Sequence, residues 1–355
     1  MSRAMAMLLL LAWALPCHAV MAGSQSAQGV EAELSAPPEL LAALPARATD
    51  RHQPTMARVQ AIVDFMTGDD GLALRYREQP TSGIAESYAR REVNCVSFTL
   101  MFVALARASG IRAHAQASDD VLAAGMRDGM VYRVTHMDAG VEADGKVVSV
   151  DVGWRDVLAE REPHRISDAR AVALLHNNRA VEWLLQGDIA MATTEIGRAL
   201  SLDPSNATSW SNAGVIQARN GDVDAAERAY LQALKLDRDH VGALGNLVGL
   251  YRVRGDDASA DAYEAHLERA QGADPFSQFL LAGRSAASGA YVDAIAHYRR
   301  AIRLLPNEPV FFRGLAEAYR RSGDAIAAQR ADHRAEALEA GMAERRGIRD
   351  AGGSG

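Results

Sequence analysis

One cysteine, one histidine and one aspartate carry the chemistry that this sequence can offer. Cys95 stands in "REVNCVSFTLMFVALARASGIRA", residues 91–113. Asn94 is a good helix N-cap residue, which sets Cys95 in the first turn of a helix. There the backbone N–H groups and the helix dipole stabilise a thiolate, and the same N–H groups can hold a developing oxyanion. The run "VSFTLMFVALARAS" is apolar around nearly its whole circumference, so the helix is expected to be buried, with Gly110 at its C-terminal cap. Taken by itself, a cysteine at such a helix is more often packing than chemistry. Both readings stand at this point.

His136 and Asp151 need a hairpin to meet. "MVYRVTH" alternates like a strand and ends in His136, and "KVVSVD" reads as the next strand, ending in Asp151. Between them "EADGK" carries Asp-Gly, a strong turn signal. With Asp144 and Gly145 as the turn, residue numbers paired across the hairpin sum to 289. His136 and Asp151 then share a face as diagonal neighbours, about 7–8 Å apart at the backbone. That spacing suits a carboxylate orienting an imidazole, and a slip of one residue would separate them.

Cysteine at a helix tip, histidine on one strand and aspartate on the next resembles the layout of transglutaminase-like, papain-type enzymes. The cysteine helix with its closing Ala-x-x-Gly-Ile-Arg-Ala is the most specific part, and the resemblance covers roughly residues 55–165. It implies Cys95 as nucleophile, His136 as general base and then acid, and Asp151 as the group fixing the tautomer. It also implies thiol-dependent acyl chemistry at an amide, with hydrolysis preferred to cross-linking. One departure is Asp138, where many members carry an aromatic. Asn94 and Tyr88 are the candidates for an oxyanion donor beyond the Cys95 backbone.

The rest of the chain is governed by a repeat. Gly187, Gly221, Gly255, Gly289 and Gly323 lie 34 residues apart, and Ala192, Ala226, Ala260, Ala294 and Ala328 follow each by five. Ala180, Gly214, Ala282 and Ala316 keep a small residue seven positions before the glycine, with Val248 the departure. Gly-Asp recurs in four of the five units. Small residues at fixed helical offsets let paired helices approach, and the glycine closes the turn between them. This is similar to the tetratricopeptide repeat family, with five units over about residues 173–342; the third is the weakest, carrying Glu264 and Leu267 where its neighbours have Tyr and Ala. Trp183, Tyr251 and Tyr319, four before their glycines, read as inter-helix core. The resemblance implies a groove that holds a protein or peptide partner. Asn178, Asn212 and Asn246, one per unit, are candidates to hold its backbone or are structural hydrogen bonds.

Composition bounds the remaining possibilities. The 355 residues are 48% hydrophobic and 23% charged, with a net charge of −7. Nothing in this balance reads as a footprint for nucleic acid. Residues 1–22 read as a signal peptide: Arg3, then an apolar core of 12 residues too short to span a bilayer, then Val20 and Ala22 in a cleavage pattern. Export, most simply to a periplasm, is therefore expected, with lipoprotein anchoring through Cys17 a minor alternative and no transmembrane span in the mature chain. Removal of the leader leaves Cys95 as the single thiol, so no internal disulfide can form. Residues 23–54 read as a flexible lead-in and 343–355 as a disordered tail. No cofactor is implied, and His176, His240, His266, His297 and His333 show no ligand spacing for a metal. The expected architecture is an α+β papain/transglutaminase-like N-terminal domain (55–165) followed by an all-α solenoid (173–342). Its two functional readings are an acyl-transfer enzyme with a partner-binding module, and a non-catalytic scaffold in the cell envelope with an inactive first domain.

Overall fold

The computed structural model describes residues 29–77, 79–127, 130–143, 145–150 and 164–346, the side chains of 118–136 and 341–346 aside. Two short helices, α1 (Pro38–Ala42) and α2 (Ala46–Thr49), precede α3 (Thr55–Thr67). Leu40 and Ala48 are fully buried in the first core. This part of the segment expected as a flexible lead-in is thus held by apolar burial. Strand β1 (Arg75–Tyr76), α4 (Ile84–Arg90) and β2 (Glu92–Val93) lead into α5 (Cys95–Ala108), with β1 and β2 paired in parallel. Arg58 of α3 is buried and spans to α5, donating to the carbonyls of Ala48 and Ser109.

Helix α5 rests on a four-stranded sheet of order β5–β4–β3–β6, formed by β3 (Ala113–Arg127), β4 (Met130–Ala143), β5 (Lys146–Val150) and β6 (His164–Arg165). Ala113, Ala115 and Ala117 alternate on β3 with Met137, Ala139 and Val141 on β4 to make one buried face of the core that contains α5. Four of those six residues are alanine, which lets the helix lie close. The pairs Ala139–Val150, Gly140–Ser149, Val141–Val148, Glu142–Val147 and Ala143–Lys146 each sum to 289, the register that an Asp144-Gly145 turn demands. Strand β4 does not stop at His136, as its sequence suggested, but continues to Ala143. Its second half faces the core with apolar residues separated by single polar or small ones, a pattern the eye reads less easily than the first half.

From Asp168 onward the chain is helical: α6 (Asp168–Gln186) and α7 (Ile189–Leu202), α8 (Ala207–Arg219) and α9 (Val223–Leu236), α10 (Val241–Arg254) and α11 (Asp257–Ala273), α12 (Pro275–Ala287) and α13 (Tyr291–Leu304), α14 (Pro309–Ser322) and α15 (Ala325–Arg346). The five period-34 glycines sit at the five turns within these pairs, with φ between +74° and +90°, a conformation open to glycine at little cost. The following aspartates explain the Gly-Asp dipeptide. Asp188, Asp222, Asp256 and Asp324 each accept the backbone N–H three residues on, capping the second helix of their pair. The fourth pair has Ala290 there and no side-chain cap.

The period-34 alanines are buried, Ala192, Ala226, Ala260 and Ala294 completely. A Cβ on Gly214 would fall 2.4 Å from the Tyr230 ring, so the small residue is what admits that fully buried tyrosine. In the third unit, where Val248 replaces the small residue, the position equivalent to Tyr230 is Glu264. Its carboxylate instead pairs with Arg252 at 2.9 Å, while Tyr251 and Tyr263 stack 5.5 Å apart. The two modules share a core. Ala171, Leu174 and Leu175 of α6 belong to the first core, and Arg107 of α5 forms a forked ion pair with Asp168 at 2.7 and 2.9 Å. Among the described residues no helix is long and apolar enough to cross a membrane.

Candidate functional site

Cys95 is the first residue of α5 and is 7% exposed. Asn94 caps the helix as its type suggests: Oδ1 accepts the Ser97 N–H at 2.9 Å. Its Nδ2 donates to Thr81 Oγ1 at 2.7 Å, so both ends of the amide are engaged in holding the turn. Ser97 in turn donates to the Ser82 carbonyl at 2.7 Å, fastening the first turn of α5 to the segment before α4. The Tyr88 ring, the other candidate donor, is stacked beneath the Arg91 guanidinium at 4.6 Å.

Strand β4 is brought to this helix by a specific contact. Thr99 lies one turn beyond Cys95 on the same face of α5, and its hydroxyl donates to the carbonyl of Met137 at 3.1 Å. Met137 follows His136 directly. The backbone of His136 therefore belongs to the strand that crosses the first turns of the cysteine helix. The His136 side chain and the whole of Asp151 lie outside the described residues.

The sheet face turned away from α5 is polar and closely packed. Gln116 donates to Ser149 Oγ at 3.0 Å and lies 3.4 Å from Asp138 Oδ1, and His114 pairs across the ladder with Gly140. A Cβ at Gly140 would sit 2.5 Å from His114 Nε2, so the imidazole fills the space that the glycine leaves. Burial lowers the His114 pKa, helped by the Arg165 charge, and so favours the neutral ring. Asp138, the residue that departs from the transglutaminase-like pattern, is buried within this network.

Asn178, Asn212 and Asn246 are all buried. Asn177 bridges the first two, donating to Asn178 Oδ1 at 3.4 Å and accepting from Asn212 Nδ2 at 3.0 Å. These residues lie on α6, α8 and α10, the first helices of three successive units, and β4 lies against all three helices. The chain's own strand β4 thus lies beside the helices that carry the three asparagines. The equivalent position of the fourth unit is Leu280, which is 42% exposed.

A link that no sequence spacing announces joins the two modules. Glu182 of α6 is buried and accepts the Thr81 N–H at 2.8 and 2.9 Å and the Thr81 hydroxyl at 2.6 Å. Arg179, one turn earlier, donates to the Thr81 carbonyl at 3.1 Å. Burial raises the Glu182 pKa above the usual carboxylate range, against the pull of the Thr81 hydrogen bonds and of Arg179. The partners are about a hundred residues apart in sequence, beyond any motif.

The helix pairs have known counterparts. Residues 184–240 and 217–277 match the tetratricopeptide repeat model. The C-terminal part of the chain is a tetratricopeptide-type solenoid. Cellulose synthase operon protein C of Xanthomonas axonopodis pv. citri (strain 306) is 40% identical over 96 residues, 27% of this chain and 6% of that protein. The heat shock protein sti1 homolog of Schizosaccharomyces pombe is 28% identical over 123 residues, 35% of this chain and 19% of that protein. The chain thus spans less than a fifth of the length of either relative. Among solved structures, MamA from Desulfovibrio magneticus RS-1 aligns with 48% of this chain and 96% of its own at 20% identity and a TM-score of 0.28. YrrB, described as a tetratricopeptide protein with an unusual peptide-binding site, aligns with 47% of this chain and 87% of its own at 17% identity and a TM-score of 0.27.

Proposed function

We propose that the chain is a protein-interaction scaffold that acts in an exported compartment, its solenoid presenting a groove to a protein or peptide partner. The observation that carries this reading is the run of five helix pairs, with the first helices of three pairs already lying against an extended strand, β4. A surface that accommodates one extended segment suits another. The groove open to a partner is the continuation over α12 and α14, where Leu280 is exposed at the position that asparagine holds in the first three units. Affinity enrichment from the exported fraction tests it. Leu280→Glu should lose the proteins that the intact chain retains, with no change in unfolding temperature, because the substituted side chain faces solvent. Retention of the same proteins at the same yield would remove the groove from the explanation.

A second reading has its own observation. Cys95 heads a capped, buried helix, and the Thr99–Met137 hydrogen bond ties the strand bearing His136 to that helix. This supports thiol-dependent acyl chemistry of the transglutaminase-like kind, with Cys95 attacking an amide carbonyl, His136 moving the proton and Asp151 orienting the imidazole. Iodoacetamide alkylation of Cys95 decides between activity and packing. An ordinary thiol of pKa about 8.5 reacts on the order of a hundredfold more slowly at pH 6.5 than at pH 9. On the thiol reading Cys95 loses less than about tenfold over that range, and His136→Ala restores the ordinary hundredfold dependence. Ordinary dependence in both proteins would leave the scaffold reading alone.

A further inference from the structure

We propose that Glu182, in the first helix of the solenoid, is a positioning residue for Cys95 in the N-terminal module. This rests on the thiol reading above. The path has three steps: the Glu182 carboxylate grips the N–H and hydroxyl of Thr81, Thr81 Oγ1 accepts from Asn94 Nδ2, and Asn94 Oδ1 caps the helix that Cys95 begins. Every member is buried. Thr81 donates its single hydroxyl proton to Glu182, which leaves its oxygen free to accept from Asn94 and orients the amide so that its carbonyl, not its NH2, points at the helix N–H groups. Arg179 holds the Thr81 carbonyl from the other side, so α6 clamps Thr81 twice. Asn178 lies one turn before Glu182 on the same face of α6, beside Asn212 of the next unit through Asn177. The first solenoid helix thus supports the cap of the cysteine helix with one part of its surface and meets the second unit with the next.

The test measures Cys95 alkylation by iodoacetamide in the full-length chain, as the ratio of rates at pH 9 and pH 6.5, beside thermal unfolding. The wild-type protein should give a ratio below about ten. Glu182→Ala, which frees Thr81 and lets the Asn94 amide turn, should raise it about tenfold, to that of an ordinary thiol. Glu182→Gln keeps a carbonyl oxygen for Thr81 and should stay within about threefold of wild type. Thr81→Val removes only the hydroxyl link and should behave like Glu182→Ala; it decides the matter if Glu182→Ala does not fold. A purely structural role would lower the unfolding temperature of Glu182→Ala and Thr81→Val and leave their ratios at the wild-type value, which overturns the proposal while the thiol reading stands. A lowered ratio in Glu182→Ala, the effect of deleting a nearby negative charge, overturns it as well. A wild-type ratio near one hundred removes the thiol reading and this inference with it.

Discussion

His176 and Glu195 show how much a single buried pair contributes to the first repeat. His176 Nδ1 lies 2.6 Å from Glu195 Oε2, and Arg198 donates to the other carboxylate oxygen at 3.0 Å. Burial alone would raise the Glu195 pKa, but the His176 hydrogen bond and charge, together with Arg198, outweigh it and leave the pKa below the ordinary value of 4.5. A carboxyl whose pKa is depressed on folding contributes stability above its unfolded pKa and loses it as pH falls through the folded one. The unfolding temperature should therefore drop on acidification below about pH 4.5 in part through Glu195. His176→Ala should cost about 3 kcal/mol at pH 7, since it strips a buried carboxylate of one of two partners, and should flatten that acid limb. Thermal unfolding between pH 3 and pH 7 checks both. The sequence offered the histidine only as one of several in the repeats with no common spacing; its partner, 19 residues on, is visible only once α6 and α7 are laid side by side.

At the scale of elements, the helix turns were the most legible feature of the chain. Each period-34 glycine adopts a left-handed backbone, and the aspartate after it caps the next helix, so a dipeptide records both ends of a turn. Ala290 is the exception, yet its backbone (φ −79°, ψ 64°) resembles that of Asp188 (φ −85°, ψ 85°). Ala290→Asp should supply the missing cap and stabilise the chain by about 1 kcal/mol, read as a raised midpoint in urea with an unchanged slope. Strand β4 was half legible. Its hairpin register follows from Asp-Gly, whereas the length of β3 and the pairing of β6 depend on partners far along the chain.

The whole molecule is joined through α6, which closes the first core with Leu174 and Leu175 and also opens the solenoid. A cut before Asp168 should leave an N-terminal fragment with exposed apolar surface, lost Thr81 anchors and no cooperative unfolding. A fragment ending at Asp237, which keeps two complete helix pairs, should unfold cooperatively. Calorimetry of the two fragments distinguishes this from a chain of independent domains, for which the shorter fragment would melt as sharply as the longer.

The sequence by itself determined what depends on neighbours close along the chain: the period of 34, the glycine turns and their aspartate caps, the Asn94 cap before Cys95, and the hairpin register. These follow from backbone conformation and side-chain reach within a few residues. Only the tertiary structure decided where those elements meet. It buries Leu40 and Ala48, lays the chain's own β4 on the solenoid helices that carry Asn178, Asn212 and Asn246, and hangs the Cys95 cap on Glu182. Contacts of that kind are selected by complementary shape and by the need of buried polar groups for partners, and neither leaves a periodic mark on the chain.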